Sequence, residues 1–129
     1  QLESPRAVDA AKDIARVPGI DILMIGPGDL SVIAGIPYQF DHPLIAEALR
    51  HVAEAARKAG KWWGTVSGTP QHTQQLLDQG AKFICHGADL ILVKQGMEQI
   101  QRNYAPLGFT FENRLAAQAA ELEHGMKQV

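Results

Sequence analysis

Cysteine occurs once in the 129-residue chain, at Cys85, so no internal disulfide can form, and no Cys/His spacing resembles a zinc site. A lone cysteine fits a reducing compartment, and the cytoplasm is the expected location. Charge of one sign is also lacking. The 12 Lys and Arg stand against 14 Asp and Glu, a net charge of −2. Without a basic excess to neutralise a phosphate backbone or an anionic bilayer, neither nucleic acid nor a membrane is an expected partner. No apolar run approaches the ~20 residues of a membrane span, and no basic-then-apolar signal segment is seen. What is present, 46% hydrophobic and 20% charged residues, belongs to an ordinary folded core. The length suits one domain. Because the chain opens with Gln1 on what reads as the end of a strand, further sequence upstream is expected.

Ser4-Pro5 is a helix start, a hydroxyl N-cap followed by proline where its missing N–H costs nothing. The spacing of Ala7, Val8, Ala11, Ile14 and Ala15 predicts a helix over 5–16, stopped by Val17-Pro18-Gly19. Asp21 to Ile25 is a nearly continuous apolar run, the pattern of a parallel strand buried on both faces. Gly26-Pro27-Gly28-Asp29 breaks it, and Asp29-Leu30-Ser31 opens a short helical turn ending near Gly35. Asp41-His42-Pro43 caps a long helix to about Ala59, apolar along Leu44, Ile45, Ala48, Leu49, Val52 and Ala56, and Gly60 closes it. Strands are predicted at Trp62–Val66 and Lys82–Cys85. Between them Thr69-Pro70 repeats the cap-then-proline signal, with Leu76 and Leu77 facing inward. A further helix is expected over about Asp89–Asn103, and Phe111–Lys127 is an Ala/Glu/Leu-rich tail of high helix propensity.

Strand and helix alternate throughout, which favours an α/β parallel sheet. A (β/α)8 barrel needs about 250 residues, roughly twice this length. Periodicity alone leaves half a barrel and a small doubly wound domain both open.

The ordered motifs Gln1-Leu2-Glu3-Ser4, Val17-Pro18-Gly19-Ile20-Asp21 and Ile25-Gly26-Pro27-Gly28-Asp29-Leu30-Ser31 continue through Asp41-His42-Pro43, Ala59-Gly60-Lys61, Gly80-Ala81-Lys82-Phe83 and Gly87-Ala88-Asp89. Together they resemble the C-terminal half of the class II pyruvate aldolases of the HpcH/HpaI family. The similarity fades after about Tyr104. The resemblance implies the C-terminal half of a (β/α)8 TIM barrel, about strands 5 to 8, over residues 1–107, followed by a helical tail over 108–129. It implies a lyase that cleaves or forms 4-hydroxy-2-oxo acids from pyruvate and an aldehyde through a pyruvate enolate. The implied cofactor is a divalent metal, Mg²⁺, Mn²⁺ or Co²⁺, held by Glu3 and Asp29.

Those two carboxylates are 26 positions apart with one helix between them, which brings both to the C-terminal ends of neighbouring parallel strands, where barrel enzymes build their sites. Two carboxylates leave a hard cation room for water and a bidentate keto acid. The resemblance further places Gln1 near the substrate keto group and the backbone N–H groups of Gly28 and Asp29 on the pyruvate carboxylate. A glycine permits close approach, and a helical start favours an anion. The family's catalytic histidine and its arginine lie on earlier loops, so no catalytic residue is expected in this chain, and the chain alone is expected to be inactive. A homo-oligomer, a hexamer with exchanged helices, is the implied assembly, and the many apolar residues of the 89–103 helix agree with it. The alternatives are an acyl-thioester lyase of the citrate-lyase β type and a non-catalytic assembly module.

Other residues read more plainly. His42, His51, His72 and His124 lie at helix starts, on a helix surface or in the tail, with no ligand spacing between them. His86 follows the last strand, where a structural or substrate-shaping role is expected. Cys85 reads as a buried strand residue, Trp62-Trp63 as packing residues, and Ser67-Gly68-Thr69 equally as an anion-binding turn or a plain loop and cap.

Overall fold

The computed structural model describes residues 1–111, in two compact units, one of Gln1–Gly87 and one beginning at Ala88. The expected tail over Phe111–Lys127 and the expected position of His124 therefore lie outside the described residues, Phe111 excepted.

The first unit runs α1 (Pro5–Asp9), α2 (Ala11–Ala15), β1 (Ile22–Ile25), α3 (Pro27–Ile33), α4 (Pro43–Lys58), β2 (Trp62–Val66), α5 (Pro70–Asp78) and β3 (Phe83–Cys85). Its sheet has the order β1-β2-β3, all parallel, with Leu23 opposite Trp63, Ile25 opposite Thr65 and Val66 opposite Cys85. On the free side of β1, Leu2 forms one further parallel bridge to Ile25. The sequence order of the strands is thus their spatial order, as in consecutive β/α units.

Proline and a side-chain cap start α1, α4 and α5 as the sequence predicts. Ser4 Oγ accepts from Ala7 N–H at 3.2 Å, Thr69 Oγ1 from His72 N–H at 3.1 Å, and His42 Nδ1 from Leu44 N–H at 3.2 Å. Each satisfies one of the donors that a helix start leaves unpaired. The single helix expected over 5–16 is instead two, broken at Ala10, whose ψ of 3° departs from the helical value. Alanine is the best helix former, so nothing in the local sequence marks that break. The kink still leaves Val8, Ala11 and Ala15 buried.

One hydrophobic cluster joins Leu23 and Ile25 of β1 and Trp63 of β2 to Ile45, Ala48, Leu49, Val52, Ala55 and Ala56 of α4, with Leu76 of α5 and Leu2 included. Burial along the strands alternates. Leu23, Ile25, Trp63 and Thr65 are buried, whereas Ile22 and Met24 are half-buried and Trp62, Val66 and Phe83 are exposed. Within this unit the described residues pack on one face of the sheet, and Ile22 and Met24 on the other face of β1 are half-buried. Trp62, at 60% exposure, and Leu77, at 47%, likewise lie away from the core that Trp63 and Leu76 occupy.

The second unit contains α6 (Asp89–Tyr104) and a 3₁₀ turn, Ala105–Leu107, ended by Gly108 in the left-handed region. No residue of α6 is buried. No helix among the described residues is long and apolar enough to cross a membrane.

The approach of β3 to β2 depends on Gly64. A Cβ there would stand 1.9 Å from Phe83 O and 2.7 Å from Phe83 Cβ. Gly64→Ala must push the strands apart and is expected to cost about 2 kcal/mol or more, since overpacking alone costs about 1–3 kcal/mol. Denaturant unfolding of the protein checks this. A midpoint equal to that of the wild type would contradict the packing described.

Candidate functional site

The C-terminal edge of the parallel sheet collects the polar residues that the sequence singled out. Leu2 N–H donates to Met24 O at 2.7 Å, and Gly26 N–H donates to Leu2 O at 3.2 Å, so the chain start runs beside β1 in parallel register. That pairing carries Glu3 to the end of β1. There its side chain lies over Gly26, where a Cβ would meet Glu3 Cγ and Oε1 each at 2.7 Å. Gly26 is the residue sequence reasoning missed: it reads as a strand breaker, but its lack of a side chain makes the space that the Glu3 carboxylate fills. Only the Gly-Pro-Gly run signalled it.

Gly26 also serves as N-cap to α3, which starts at Pro27, earlier than the turn expected at Asp29. Gly28 and Asp29 therefore sit in the first helical turn. Leu30 N–H is the first to find an intrahelical carbonyl, Gly26 O at 3.0 Å, so the preceding N–H groups of Gly28 and Asp29 have no helical acceptor. Asp29 is exposed and Glu3 half-buried. Ser31, fully buried, braces the turn. Its Oγ donates to Gly28 O at 2.6 Å and accepts from Tyr38 N–H at 2.9 Å. The second bond holds Tyr38, whose φ of 59° is left-handed and strained for a residue with a large side chain.

Gln1 is exposed, its amide 3.8 Å from Met24 Sδ. At the ends of β2 and β3 the hydroxyls are consumed internally. Thr65 Oγ1 donates to Ile25 O at 3.0 Å, and Thr73 Oγ1 donates to Ser67 Oγ at 2.8 Å, which in turn donates to Thr69 O at 3.1 Å. Ser67 is buried, so its hydroxyl organises the turn after β2. His86 is exposed at the end of β3, and Cys85 is half-buried. Among the other histidines, His42 caps α4, and His72 is half-buried in the first turn of α5. His51 departs from the surface position expected: it is half-buried, and its Nε2 is buried with no hydrogen-bond partner among the described residues.

The structure thus brings Glu3, Gly28 and Asp29 to one edge of two adjacent strands. No group of three or more His, Cys, Asp or Glu able to hold a metal occurs among the described residues. The donor set is two carboxylates from neighbouring chain segments, one cradled by a glycine. Hard oxygen donors of this kind suit Mg²⁺ or Mn²⁺, which take about six oxygens and here would complete the shell with water and a chelating ligand. A separate cleft of about 530 Å³ lies between α4 and α5, lined by residues including Pro27, Phe40, Leu49, Thr69 and His72; neither Glu3 nor Asp29 lines it.

Comparison with known proteins matches residues 1–95 to the family described as HpcH/HpaI aldolase/citrate lyase. The chain is 37% identical over 95 residues to the hydroxypyruvate/pyruvate aldolase of Delftia acidovorans, covering 74% of this chain and 35% of that protein. It is 36% identical over 99 residues to the 2-keto-3-deoxy-L-rhamnonate aldolase of Escherichia coli, covering 77% of this chain and 37% of that one. The chain therefore spans about a third of the length of these curated relatives. Among solved structures, an HpcH/HpaI aldolase/citrate lyase family protein from Burkholderia cenocepacia J2315 matches with a TM-score of 0.73 at 30% identity, covering 81% of this chain and 41% of that one. The HpcH/HpaI aldolase from Desulfitobacterium hafniense DCB-2 matches with a TM-score of 0.69 at 27% identity, covering 77% of this chain and 40% of that one.

Proposed function

Because the chain belongs to the HpcH/HpaI aldolase/citrate lyase family, we propose that the protein carrying it is a divalent-metal-dependent aldolase that joins pyruvate to an aldehyde and cleaves the resulting 4-hydroxy-2-oxo acid. The observation that carries this reading is the Glu3 carboxylate lying over Gly26, at the start of the turn that presents Asp29. Glu3 and Asp29 hold the cation. The chemistry a bound divalent cation supplies there is Lewis-acid stabilisation of the charge that develops when pyruvate loses a methyl proton. The N–H groups of Gly28 and Asp29, lacking helical acceptors, bind the pyruvate carboxylate, and Pro27 fixes the turn without competing as a donor. Gln1 lies next to the keto group. Neither a proton-transferring histidine for the methyl group nor an enolate-binding arginine is assigned in this chain. Residues 1–107 are one part of a (β/α)8 barrel, a reading supported by the parallel strands in sequential order and by the unpacked sheet face.

Asp29→Ala removes one of two protein ligands. In a Mn²⁺ titration of the natural protein it is expected to weaken binding by about tenfold or more, the scale on which even outer-shell partners act. An affinity equal to that of the wild type would contradict the metal assignment.

A homo-oligomer, hexameric by family resemblance, is the assembly proposed. Its support is α6, where Leu90, Val93 and Met97 are 77%, 65% and 56% exposed and Ile91 and Ile100 are exposed as well. Apolar surface of this extent on one helix is what a subunit interface covers. Replacing Met97 and Ile100 with aspartate is expected to dissociate the oligomer in sedimentation while preserving the far-UV helical signal. An oligomer that survives both substitutions would contradict a role for α6 in assembly.

A further inference from the structure

His86 stands at the end of β3 with its Nδ1 2.7 Å from Ser67 O. A carbonyl oxygen only accepts, so Nδ1 carries the proton, and in the neutral ring Nε2 is the lone-pair acceptor. The ladder explains the position of the ring. Ser67 N–H donates to Cys85 O at 2.8 Å, and the next step of a parallel ladder would return an N–H from residue 87 to Ser67 O. The imidazole takes that step instead, so the side chain closes the ladder at the C-terminal edge of the sheet. This is the edge that carries Glu3 and Asp29. β3 lies two strands from β1, about 10 Å at the usual strand spacing.

The hydroxyls at the end of β2 and in the first turn of α5 have little left to offer a ligand. The hydroxyls of Thr65, Ser67 and Thr73 all bond within the protein. His86 is exposed, and its Nε2 makes no hydrogen bond among the described residues. At the end of β3 the edge therefore presents an oriented acceptor, and one neutral group that such an acceptor recognises is a hydroxyl.

We propose that His86 is a specificity residue for the aldehyde partner, its Nε2 accepting a hydrogen bond from the hydroxyl of a 2-hydroxyaldehyde held next to pyruvate. This rests on the aldolase reading above, with the keto acid at Gly28 and Asp29 and the remainder of the substrate extending over the neighbouring strand ends. A site that bonds a substrate hydroxyl discriminates against the analogue that lacks it, because the acceptor is then left unpaired.

The test compares kcat/KM for condensation of pyruvate with glycolaldehyde and with acetaldehyde, using the natural protein and two variants. His86→Asn keeps a donor where Nδ1 stands, and so the bond to Ser67 O, but provides nothing at the position of Nε2. His86→Gln reaches as far as Nε2 with a carbonyl that can accept. The wild type is expected to favour glycolaldehyde. His86→Asn should lower the glycolaldehyde-to-acetaldehyde ratio about tenfold, the scale of one hydrogen bond, and His86→Gln should retain most of it. An unchanged ratio in His86→Asn, or a wild type without preference, would overturn the proposal and leave the aldolase reading standing. Equal loss in both variants, with both melting at lower temperature, would make His86 a closure of the ladder only, and would also overturn it. Deuterium exchange into the methyl group of pyruvate separates the two levels. If the wild type shows none, the aldolase reading fails and this inference fails with it.

Discussion

Two hydrogen bonds made by Leu2, its N–H to Met24 O and its carbonyl from Gly26 N–H, set the register on which the candidate site depends. Each is worth only about 1 kcal/mol net. Their consequence is geometric. A strand shifted by one residue turns every side chain to the other face, so the pairing that buries Leu2 also determines where Glu3 emerges. The buried Leu2 side chain anchors the register from the core, and the missing Cβ of Gly26 accepts the result by leaving room for the Glu3 carboxylate. Asp29 follows because Gly26 is also the cap from which α3 starts.

Around that register the edge is built rigidly. Buried Ser31 and Ser67 give their hydroxyls to carbonyls in their own turns, and buried Thr65 of β2 gives its hydroxyl to Ile25 O at the end of β1. A polar group left unpaired in such a place would cost about 1–3 kcal/mol, so each of these bonds holds its turn or strand end in place. The small hydroxyls of Ser31, Thr65 and Ser67 are spent on structure, whereas the proposed ligands Glu3 and Asp29, two helix-start N–H groups and the Nε2 of His86 make no such internal bond among the described residues. A site needs such support to keep its reacting groups in place.

Much of the fold is legible in the sequence because local signals and the tertiary result agree. Ser4-Pro5, Thr69-Pro70 and His42-Pro43 start helices where expected, and the stripe from Ile45 to Ala56 is the buried face of α4. The departures are those that local signals do not encode. Ala10 breaks a helix although alanine favours one. The run Ile22–Ile25 reads as buried on both faces, yet within the first unit only Leu23 and Ile25 are buried, since the packing of the other face is a matter of what lies against it. The same cause separates Trp62 from Trp63. For the candidate site, the motif resemblance and the spacing single out Glu3 and Asp29, and the structure adds what surrounds them. The contact of Glu3 with Gly26, the bracing by Ser31 and the fixed ring of His86 join residues 3 to 23 positions apart, and only the folded chain supplies them.

In the proposed function, the register of Leu2 makes Glu3 and Asp29 ligands of one cation. Crystals of the natural protein soaked in Mn²⁺ test it through the anomalous signal of the metal. One peak is expected within bonding distance of both carboxylates, about 2.0–2.3 Å from an oxygen of each by analogy with Mg²⁺ and Ca²⁺ sites. A fully occupied Mn²⁺ bound elsewhere, or bound by one of the two carboxylates with the other turned away, would contradict it.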